Sequence, residues 1–516
     1  MRACPPTTTS GSSARRAGCS GASGTGASHC RREADEWRPP MSRALCVCLV
    51  VAAIPPLAAH ADWPAVRGDN QRSGLVADEP RGPFERLWIA EFEGEAITTR
   101  VEAVVADGVV VVGTMAGRLH ALDAQTGEGS WSLDLDGPIL HSPAVAEGRV
   151  FAASAGGEAV CADLQSGEVV WRTARVLYGF HASPMVEGDL VLIGGRDGTF
   201  RAYDADTGDE RWSVATEGPI RTTAASADGR VFFASDDMHA YCAELLTGDL
   251  VWRSDKLPGQ SLRDYYPVVL GDAVVLRSAP VTPMPHRIGD DAAMLCRNAG
   301  IENHWQAIEA HLYSDAVRVP PETHAAEQAA ILDWLEERPH ARTCFVLDAD
   351  SGTEVARAPV LWMAGCQGVA TPPVRGRDGR GLTLYRTAYS NFNLGVAPLV
   401  GLGWLDPQSW RIDPIYHSDG DRPPWNTFWG TADEAINFSI GGGTLFICHQ
   451  GTLSALDLES GHLSHIVGDR DTWGGEPSVA WARNEWHGPA RGSAAIDGDR
   501  LYWVTGSRVI AIQGEG

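Results

Sequence analysis

One sequence pattern is repeated four times between Val104 and Trp252. Each copy has three apolar segments separated by glycine turns, and then a Thr-Gly or Ser-Gly turn followed by a tryptophan. The tryptophans Trp131, Trp171, Trp212 and Trp252 are 40, 41 and 40 residues apart. A fixed period of this size, with only strand patterns inside each unit, predicts the blades of a β-propeller.

Blade one is the template for a four-stranded antiparallel unit. In the turn after its third strand, the oxygens of Asp123 and Thr126 can accept hydrogen bonds from backbone N–H groups, and Gly127 can take the positive φ that such turns require. Trp131 then begins the outer strand. Because a tryptophan recurs here at the period of the fold, we interpret it as a wedge that packs between adjacent blades.

The later blades depart from this template. Blade five breaks after Arg277 and resumes at Cys344, and apolar residues at helical spacing predict a mostly helical insertion at 278–342. Blade eight has only three strands at the C-terminus, and the segment 86–92 matches its missing outer strand. We therefore predict an all-β fold, an eight-bladed propeller over residues 62–516. An N-terminal strand closes its last blade, because closure removes the exposed sheet edge.

The residues before the propeller predict export. Residues 1–40 are rich in Ser, Gly, Thr, Ala and Arg without apolar periodicity, which is typical of a disordered or untranslated extension. Residues 41–61 are typical of a signal peptide, with Arg43 before an apolar stretch and a small-x-small cleavage site at 59–61. The apolar stretch is too short for a transmembrane helix, and no cysteine follows it at the position of a lipid anchor. We expect a periplasmic or extracellular chain that starts at Asp62; a buried apolar segment is the alternative.

The mature chain is strongly acidic. The full sequence has a formal net charge of −24, and removal of residues 1–61 leaves 35 basic and 63 acidic side chains. This excess argues against nucleic acids and anionic membrane surfaces as partners. We expect a soluble monomer.

Six cysteines remain after cleavage, and export would permit disulfides among them. They are Cys161, Cys242, Cys296, Cys344, Cys366 and Cys448. Cys161 and Cys242 lie within strand patterns two blades apart, so we expect buried free thiols there. Cys296, Cys344 and Cys366 fall in or near the insertion and can staple it. The absence of CxxCH and CxxC motifs from the sequence argues against covalent c-type haem, a zinc ribbon and a thioredoxin-like site.

These residues resemble the PQQ-like β-propeller repeat family. The resemblance lies in the repeat Leu-Asp-Ala-x-Thr-Gly-x-x-x-Trp, the opening Asp-Trp-Pro-Ala-Val-Arg-Gly-Asp at 62–69, and eight closed blades. It implies one of two branches. One is the quinoprotein dehydrogenases, which bind pyrroloquinoline quinone (PQQ) and calcium over the propeller axis. The other is non-enzymatic, such as the propeller lipoprotein of the outer-membrane β-barrel assembly machinery. Quinoprotein dehydrogenases typically carry two adjacent cysteines over the cofactor, and no two cysteines are adjacent in this sequence.

The strand order of the blades defines two rims. Turns between strands one and two and between strands three and four lie on one rim, which we call the turn rim. Turns between strands two and three, and the crossings to the next blade, lie on the other, which we call the loop rim. Four long departures from the template fall on the loop rim, at 278–342, 386–401, 416–434 and 468–491. Long loops gathered on one face of a rigid scaffold are where binding sites usually lie.

The loop rim also carries the starts of the innermost strands, which should surround the axis. Candidate ligand-binding residues there are Arg100, His141, His181, Arg221, Arg263, Asp264, Gln367, Asp433, Glu434 and Arg491. They can hold a polar or anionic ligand, or they can be solvated loop charges. His141 and His181 occupy equivalent positions in successive blades, but two histidines without a third ligand do not make a metal site. Aromatic residues that can stack on sugars or peptides, or anchor the late loops, are Trp425, Phe428, Trp429, Trp473, Trp481 and Trp486.

Three functions are compatible with the sequence. The first is an exported, non-catalytic scaffold that needs no cofactor and binds a protein or another envelope component through the loop rim. The second is a periplasmic oxidoreductase that depends on PQQ and calcium. The third is a glycan-binding module that uses the late-loop tryptophans. We find no nucleophile–base arrangement, phosphate-binding loop or dinucleotide fingerprint, so we assign no catalytic residue.

Overall fold

A computed structural model shows eight β-sheets arranged as the blades of a propeller. It describes residues 62–78, 80–98, 100–279, 324–362, 371–388, 399–415, 427–429, 437–449, 452–467 and 492–515. Each blade has four antiparallel strands, and blades six and seven each carry one further short strand. The predicted eight-bladed propeller is confirmed.

The first four blades follow the template closely. Blade one consists of Val104–Ala106, Val109–Gly113, Arg118–Asp123 and Gly129–Asp134. Blade two consists of Ala144–Ala146, Arg149–Ala153, Ala159–Asp163 and Val169–Arg172. Blade three consists of Met185–Glu187, Leu190–Gly194, Thr199–Asp204 and Glu210–Ala215. Blade four consists of Ala225–Ala227, Arg230–Ala234, Ala240–Glu244 and Leu250–Arg253.

The last four blades include the irregular part of the chain. Blade five consists of Val268–Leu270, Ala273–Arg277, Cys344–Asp348 and Glu354–Ala356. Blade six consists of Val374–Arg375, Gly381–Ala388, Leu399–Leu405 and Ile412–Pro414, with Thr427–Trp429 beside its third strand. Blade seven consists of Asn437–Gly441, Thr444–His449, Thr452–Asp457 and Leu463–Val467. Blade eight consists of Ala495–Asp497, Arg500–Thr505, Arg508–Glu515 and Arg81–Glu91.

The turns after the third strands have the predicted hydrogen bonds. Asp123 Oδ1 accepts hydrogen bonds from the backbone N–H groups of Gln125 (2.9 Å) and Thr126 (2.8 Å), and also from the Thr126 hydroxyl (3.0 Å). Gly127 has a φ of 74°, and a Cβ at this position would lie 2.6 Å from the Trp88 ring. Glycine is therefore required here both for the backbone conformation and for the close approach of the neighbouring blade.

The tryptophans that follow these turns are wedges between blades, as predicted. Each indole N–H donates a hydrogen bond of 2.9 to 3.2 Å to a turn carbonyl of the next blade. The pairs are Trp88 with Ala124, Trp131 with Leu164, Trp171 with Ala205, Trp212 with Leu245, and Trp252 with Ala349. Because the same contact recurs from blade to blade, it sets the spacing of the ring.

The ring closes between the two ends of the propeller sequence. Arg81–Glu91 pairs antiparallel with Arg508–Glu515, and Ile89 lies opposite Ile510 in the register. The predicted closing strand at 86–92 is thus confirmed, although the observed strand begins five residues earlier and ends one residue earlier. Closure gives the last C-terminal strand a partner and removes an unpaired sheet edge.

Residues 62–76, which we call the axial segment, run along the inside of the ring. Their carbonyl oxygens accept backbone hydrogen bonds of 2.7 to 3.4 Å from the innermost strands of six blades. The acceptor and donor residues are Trp63 and Val105, Pro64 and Val145, Asn70 and Ser226, Gln71 and Val269, Ser73 and Arg375, and Gly74 and Ile440. The Asn70 amide donates to the Val186 carbonyl of blade three at 2.6 Å, and Leu75–Val76 pairs parallel with Asn437–Gly441. The axial segment thus pairs backbone groups that would otherwise point unpaired at the axis.

Three large side chains of the axial segment are completely buried. Trp63, Arg67 and Arg72 have no exposed surface. The Arg67 guanidinium donates hydrogen bonds to the Phe438 carbonyl and to Ser493 Oγ. The Arg72 guanidinium donates to the Ala224 and Val66 carbonyls. The Glu102 carboxylate accepts hydrogen bonds from the Trp63 indole N–H and from the Arg67 backbone N–H. Burial lowers the pKa of Arg72 to about 10, so it stays charged at neutral pH. Buried charges are tolerated only when they are paired and hydrogen-bonded, so this network ties the axial segment to the ring.

The described end of the insertion is helical, as predicted. An α-helix spans His324–Glu337 and a 3-10 helix spans Pro339–Ala341, whereas residues 280–323 lie outside the described residues. Gln328 bonds through its side-chain amide to both the N–H (3.0 Å) and the carbonyl (2.7 Å) of Ile412 in the outer strand of blade six. The helix therefore covers the outer edge of the blade-six sheet, although the insertion leaves blade five at the loop rim.

Two expectations need correction. The segment 386–401 was predicted to be a loop, but 386–388 and 399–401 extend the hairpin of blade six, with Arg386 opposite Gly401. Cys344 was expected to be able to form a disulfide that crosslinks the insertion, but it is a buried free thiol. Cys296 and Cys366 lie outside the described residues.

The other described cysteines agree with the expectation of free thiols. Cys161 and Cys242 are buried and free, and so is Cys448. The described ranges also contain no helix with the length and apolar character that a bilayer crossing requires.

We expect Trp63→Ala to destabilise the propeller by about 3 to 5 kcal/mol, because it removes a fully buried large side chain and leaves a cavity beside the innermost strands. Thermal or urea unfolding of the chain that starts at Asp62 measures this loss. Val170→Ala, on the exposed outer strand of blade two, is the control and should change stability by less than about 0.5 kcal/mol. Equal stability of the two variants would show that the axial segment does not hold the ring together.

Candidate functional site

Six of the predicted ligand-binding residues surround one end of the axis, on the loop rim. They are Arg100, His141, His181, Arg221, Arg263 and Asp264, and we call them the axial mouth. The Arg100 guanidinium lies 3.0 Å from the Asp264 carboxylate. Arg100 precedes blade one and Asp264 precedes blade five, which are opposite in a ring of eight, so this ion pair spans the axis.

The cations of the axial mouth are matched by carboxylates. Arg263 also lies 3.5 Å from Asp264, and Arg221 lies 3.4 Å from Asp236. Arg221 and Arg263 are joined through a parallel β-bridge of their backbones. The arginines are therefore held in place by the crossings between blades, and they are not free surface charges.

The two histidines are in contact. The ring centroids of His141 and His181 are 5.1 Å apart with an edge-to-face orientation. Burial, with the nearby His181 and Arg100, lowers the pKa of His141 well below its usual range. Burial, with Arg100 as the next cause, lowers the pKa of His181 to about 4. Both imidazoles are therefore neutral at pH 7.

The floor of the axial mouth is formed by the axial segment and by residues outside the predicted candidate set. Val66, Glu102, Thr223, Tyr265, Tyr266, Asn437 and Gly492 line a small pocket there, together with Arg100, His141 and Asp264. Glu102 was detectable as a charged residue inside the apolar run that begins blade one. Tyr266 offered no such signal, because a tyrosine before an apolar strand is common in a protein core.

Several predicted site residues belong to the part of the chain that the structure does not describe. Gln367, Asp433, Glu434, Arg491, Trp425, Trp473, Trp481 and Trp486 lie outside the described residues. Phe428 and Trp429 were predicted to lie in a loop, but their backbone forms the short strand Thr427–Trp429 beside Leu399–Leu405. The glycan-binding role of the late aromatic residues stays a prediction.

The described carboxylates of the axial mouth do not fit a calcium ion, which the oxidoreductase alternative requires. Calcium takes about six to eight oxygen ligands. The Asp264 carboxylate faces Arg100 and Arg263, and the Glu102 carboxylate is bonded to Trp63 and Arg67. Within the described ranges, no group of three or more His, Cys, Asp or Glu side chains could hold a metal ion.

A second feature of the loop rim is an exposed apolar pair in the crossing from blade two to blade three. Leu177 is 65% exposed and Tyr178 is 64% exposed. Tyr178 has a φ of 66°, a region that side-chain-bearing residues rarely adopt. The turn is held by hydrogen bonds from the Gly179 N–H to the Val176 carbonyl (3.1 Å) and from the Val176 N–H to the Gly157 carbonyl (2.9 Å). The fold thus presents two large apolar side chains to solvent on a constrained turn.

Comparison with known proteins agrees with the predicted resemblance. A family model described as outer membrane protein assembly factor BamB matches residues 77–177 and 157–282. The BamB protein of Burkholderia pseudomallei is 30% identical over 224 residues, which are 40% of this chain and 56% of that protein. The BamB protein of Alkalilimnicola ehrlichii is 39% identical over 146 residues, which are 26% of this chain and 37% of that protein. The chain therefore spans about half the length, or less, of these relatives.

Solved structures support the fold alone. A quinohemoprotein alcohol dehydrogenase from Comamonas testosteroni superposes with a TM-score of 0.53 at 12% identity, over 88% of this chain and 81% of that one. The computationally designed protein Ika8 gives a TM-score of 0.52 at 12% identity, over 84% of this chain and 100% of that one. The predicted resemblance to the PQQ-like β-propeller repeat family, and to BamB within it, is confirmed.

We expect the stability of the protein to fall as the pH is lowered from about 6.5 to about 4. Histidine has a pKa of about 6.5 in an unfolded chain, whereas that of His181 is about 4 in the fold. The unfolded state therefore binds more protons within this window, so the stabilisation is complete above it and is lost on acidification. Melting temperatures measured across the window should fall less steeply in His181→Gln than in the wild type. Val170→Ala, an exposed position without a titratable group, is the control and should leave the slope unchanged.

Proposed function

We propose that the chain is an exported, non-catalytic scaffold of the cell envelope that binds a protein through its loop rim. The predicted signal peptide at 41–61 directs it to the periplasm or the cell exterior, and the acidic mature chain acts there as a soluble monomer. The similarity to proteins named outer membrane protein assembly factor supports a role with envelope proteins. The scaffold needs no cofactor for this role.

The exposed apolar pair Leu177 and Tyr178 carries the proposal. Large apolar side chains that protrude from a constrained turn gain most of their hydrophobic stabilisation when a partner covers them. Tyrosine is also enriched among the residues that dominate binding at protein interfaces. Because the unfavourable φ of Tyr178 is maintained by the turn, the arrangement favours a function over a packing role.

The regular part of the propeller supports this role through rigidity. The inter-blade tryptophan contacts and the axial segment fix the positions of the crossings from which the loop rim is built. A preorganised surface loses little conformational entropy when a partner binds. The scaffold therefore contributes to affinity without contacting the partner.

We expect the double variant Leu177→Asp/Tyr178→Asp to recover at least about tenfold less partner protein than the wild type. Loss of interface residues of this kind reduces the binding free energy by more than about 1.4 kcal/mol. The measurement is a pull-down from envelope extract with the tagged mature chain, followed by quantitative mass spectrometry. Leu246→Asp is the matched control, because Leu246 is 71% exposed on the turn rim. Melting temperatures establish that all three proteins are folded. Equal recovery with the double variant and with the control would overturn the proposal.

A further inference from the structure

An open cavity lies at the turn-rim end of the axis, between blades three and four. Its volume is about 460 Å³, a size typical of pockets that hold a ligand. The axial segment contributes residues 69–71 to its wall, and the first hairpin turns of blades three and four contribute Glu187 and residues 226–229. The turn after the third strand of blade four contributes Leu245. We call this space the turn-rim cavity.

The lining of the turn-rim cavity is acidic. Asp69, Glu187 and Asp228 contribute carboxylates, and no basic side chain of the described residues belongs to the lining. Asp69 accepts a hydrogen bond of 2.9 Å within the axial segment, and Glu187 Oε2 accepts hydrogen bonds of 2.7 Å from the Asn70 amide and from the Ser226 hydroxyl. These two carboxylates are therefore fixed parts of the wall.

Asp228 differs from the other two carboxylates. Its side chain is exposed, and it forms no hydrogen bond or ion pair with the described residues. The two arginines beside the lining are engaged elsewhere. Arg72 is buried and donates to backbone carbonyls, and Arg375 donates to the Gln71 side chain at 2.6 Å. An unpaired carboxylate in an acidic wall favours a cation from outside the chain.

The turn at the edge of the cavity carries the most exposed large apolar side chain of the described residues. Leu246, which follows the lining residue Leu245, is 71% exposed. The equivalent position is polar in six other blades, where it holds Gln125, Gln165, Asp206, Asp350, Gln408 and Glu459. The fold therefore does not require an apolar residue there. A leucine beside an acidic cavity gains hydrophobic stabilisation only when a partner covers it.

An acidic cavity beside an exposed leucine is complementary to a basic residue that adjoins an apolar one. The aliphatic stem of a lysine or arginine can pass over apolar surface such as Leu245 while its charged end reaches a carboxylate. A protein segment provides the apolar group and the charge together, whereas a small amine or a metal ion provides only the charge.

We propose that the turn-rim cavity docks a protein segment in which an arginine or lysine adjoins a large apolar residue. The basic group pairs with Asp228, and the apolar residue packs on Leu246. The cavity lies on the opposite rim from Leu177 and Tyr178, so the propeller can hold a second protein in addition to the partner of the loop rim.

Titration of the mature chain with short capped peptides tests the docking site. The probes are Gly-Leu-Arg-Leu-Gly and Gly-Phe-Lys-Phe-Gly, acetylated and amidated so that their ends carry no charge. We expect saturable binding by calorimetry that weakens as salt is added, because salt screens an exposed ion pair. Asp228→Asn should weaken binding about two- to fivefold, the range for an exposed ion pair. Leu246→Ser should weaken it about tenfold, because an apolar contact is lost.

Two matched variants control for these substitutions. Asp107 occupies the same position in the first hairpin turn of blade one, with a φ of 49° against 51° for Asp228, and it does not line the cavity. Leu177 is 65% exposed on the loop rim. Asp107→Asn and Leu177→Ser should both keep the wild-type affinity for the peptides, and melting temperatures establish that all four variants are folded.

The proposal is wrong if neither peptide saturates the protein, if a peptide with glutamate in place of the basic residue binds as tightly, or if either Asp228→Asn or Leu246→Ser keeps the wild-type affinity. Equal binding of arginine amide and the arginine peptide would identify a site for small cations and would also overturn the docking of a segment. A partner of the loop rim does not contact Leu246, so its recovery in the pull-down is independent of these titrations. Failure of this proposal and failure of the proposed function are therefore distinguishable.

Discussion

The hydrogen bonds between the axial segment and the innermost strands are the constraint on which the structure depends. A propeller brings the inner edge of every blade to one axis, where each edge presents backbone groups that must find partners. Residues 62–76 supply them by following the ring, with carbonyls that accept from Val105, Val145, Ser226 and later strands. A single segment thus contacts successive blades in turn, and the closing strand Arg81–Glu91 follows it directly in the chain.

The axial segment also determines the chemistry of the axial mouth. Its residue Val66 lines the pocket at the floor of the mouth, and its buried cation Arg67 lies 5.8 Å from the ring centre of Tyr266, which lines the same pocket. Glu102 is held by this segment through Trp63 and Arg67, which removes it as a free acceptor. His141 Nε2 and the Tyr266 hydroxyl are buried there and have no hydrogen-bond partner among the described residues. The segment that ties the ring together therefore also shapes this end of the axis.

The two rims have different roles in the molecule. The repeated Asp–Thr turns and inter-blade tryptophans hold the blades together at their outer strands. The loop rim carries the crossings, with the axial mouth at its centre and the exposed pair Leu177 and Tyr178 in one of them. The proposed protein-binding turn therefore lies in a crossing between two of the regular blades, which hold it in place.

The number of blades, their turns, the inter-blade tryptophans and the closing strand can all be predicted from the sequence alone. These features depend on contacts within one repeat or between neighbouring repeats. They therefore recur at the period of the repeat and can be recognised in the sequence. The sequence also placed Arg100, His141, His181 and Asp264 at one end of the axis, because each precedes an innermost strand. The path of the axial segment, and the positions of Glu102 and Tyr266 at the floor of the axial mouth, become apparent only in the folded protein. Those contacts join residues that meet only when the ring is closed, so they leave no repeating pattern in the sequence.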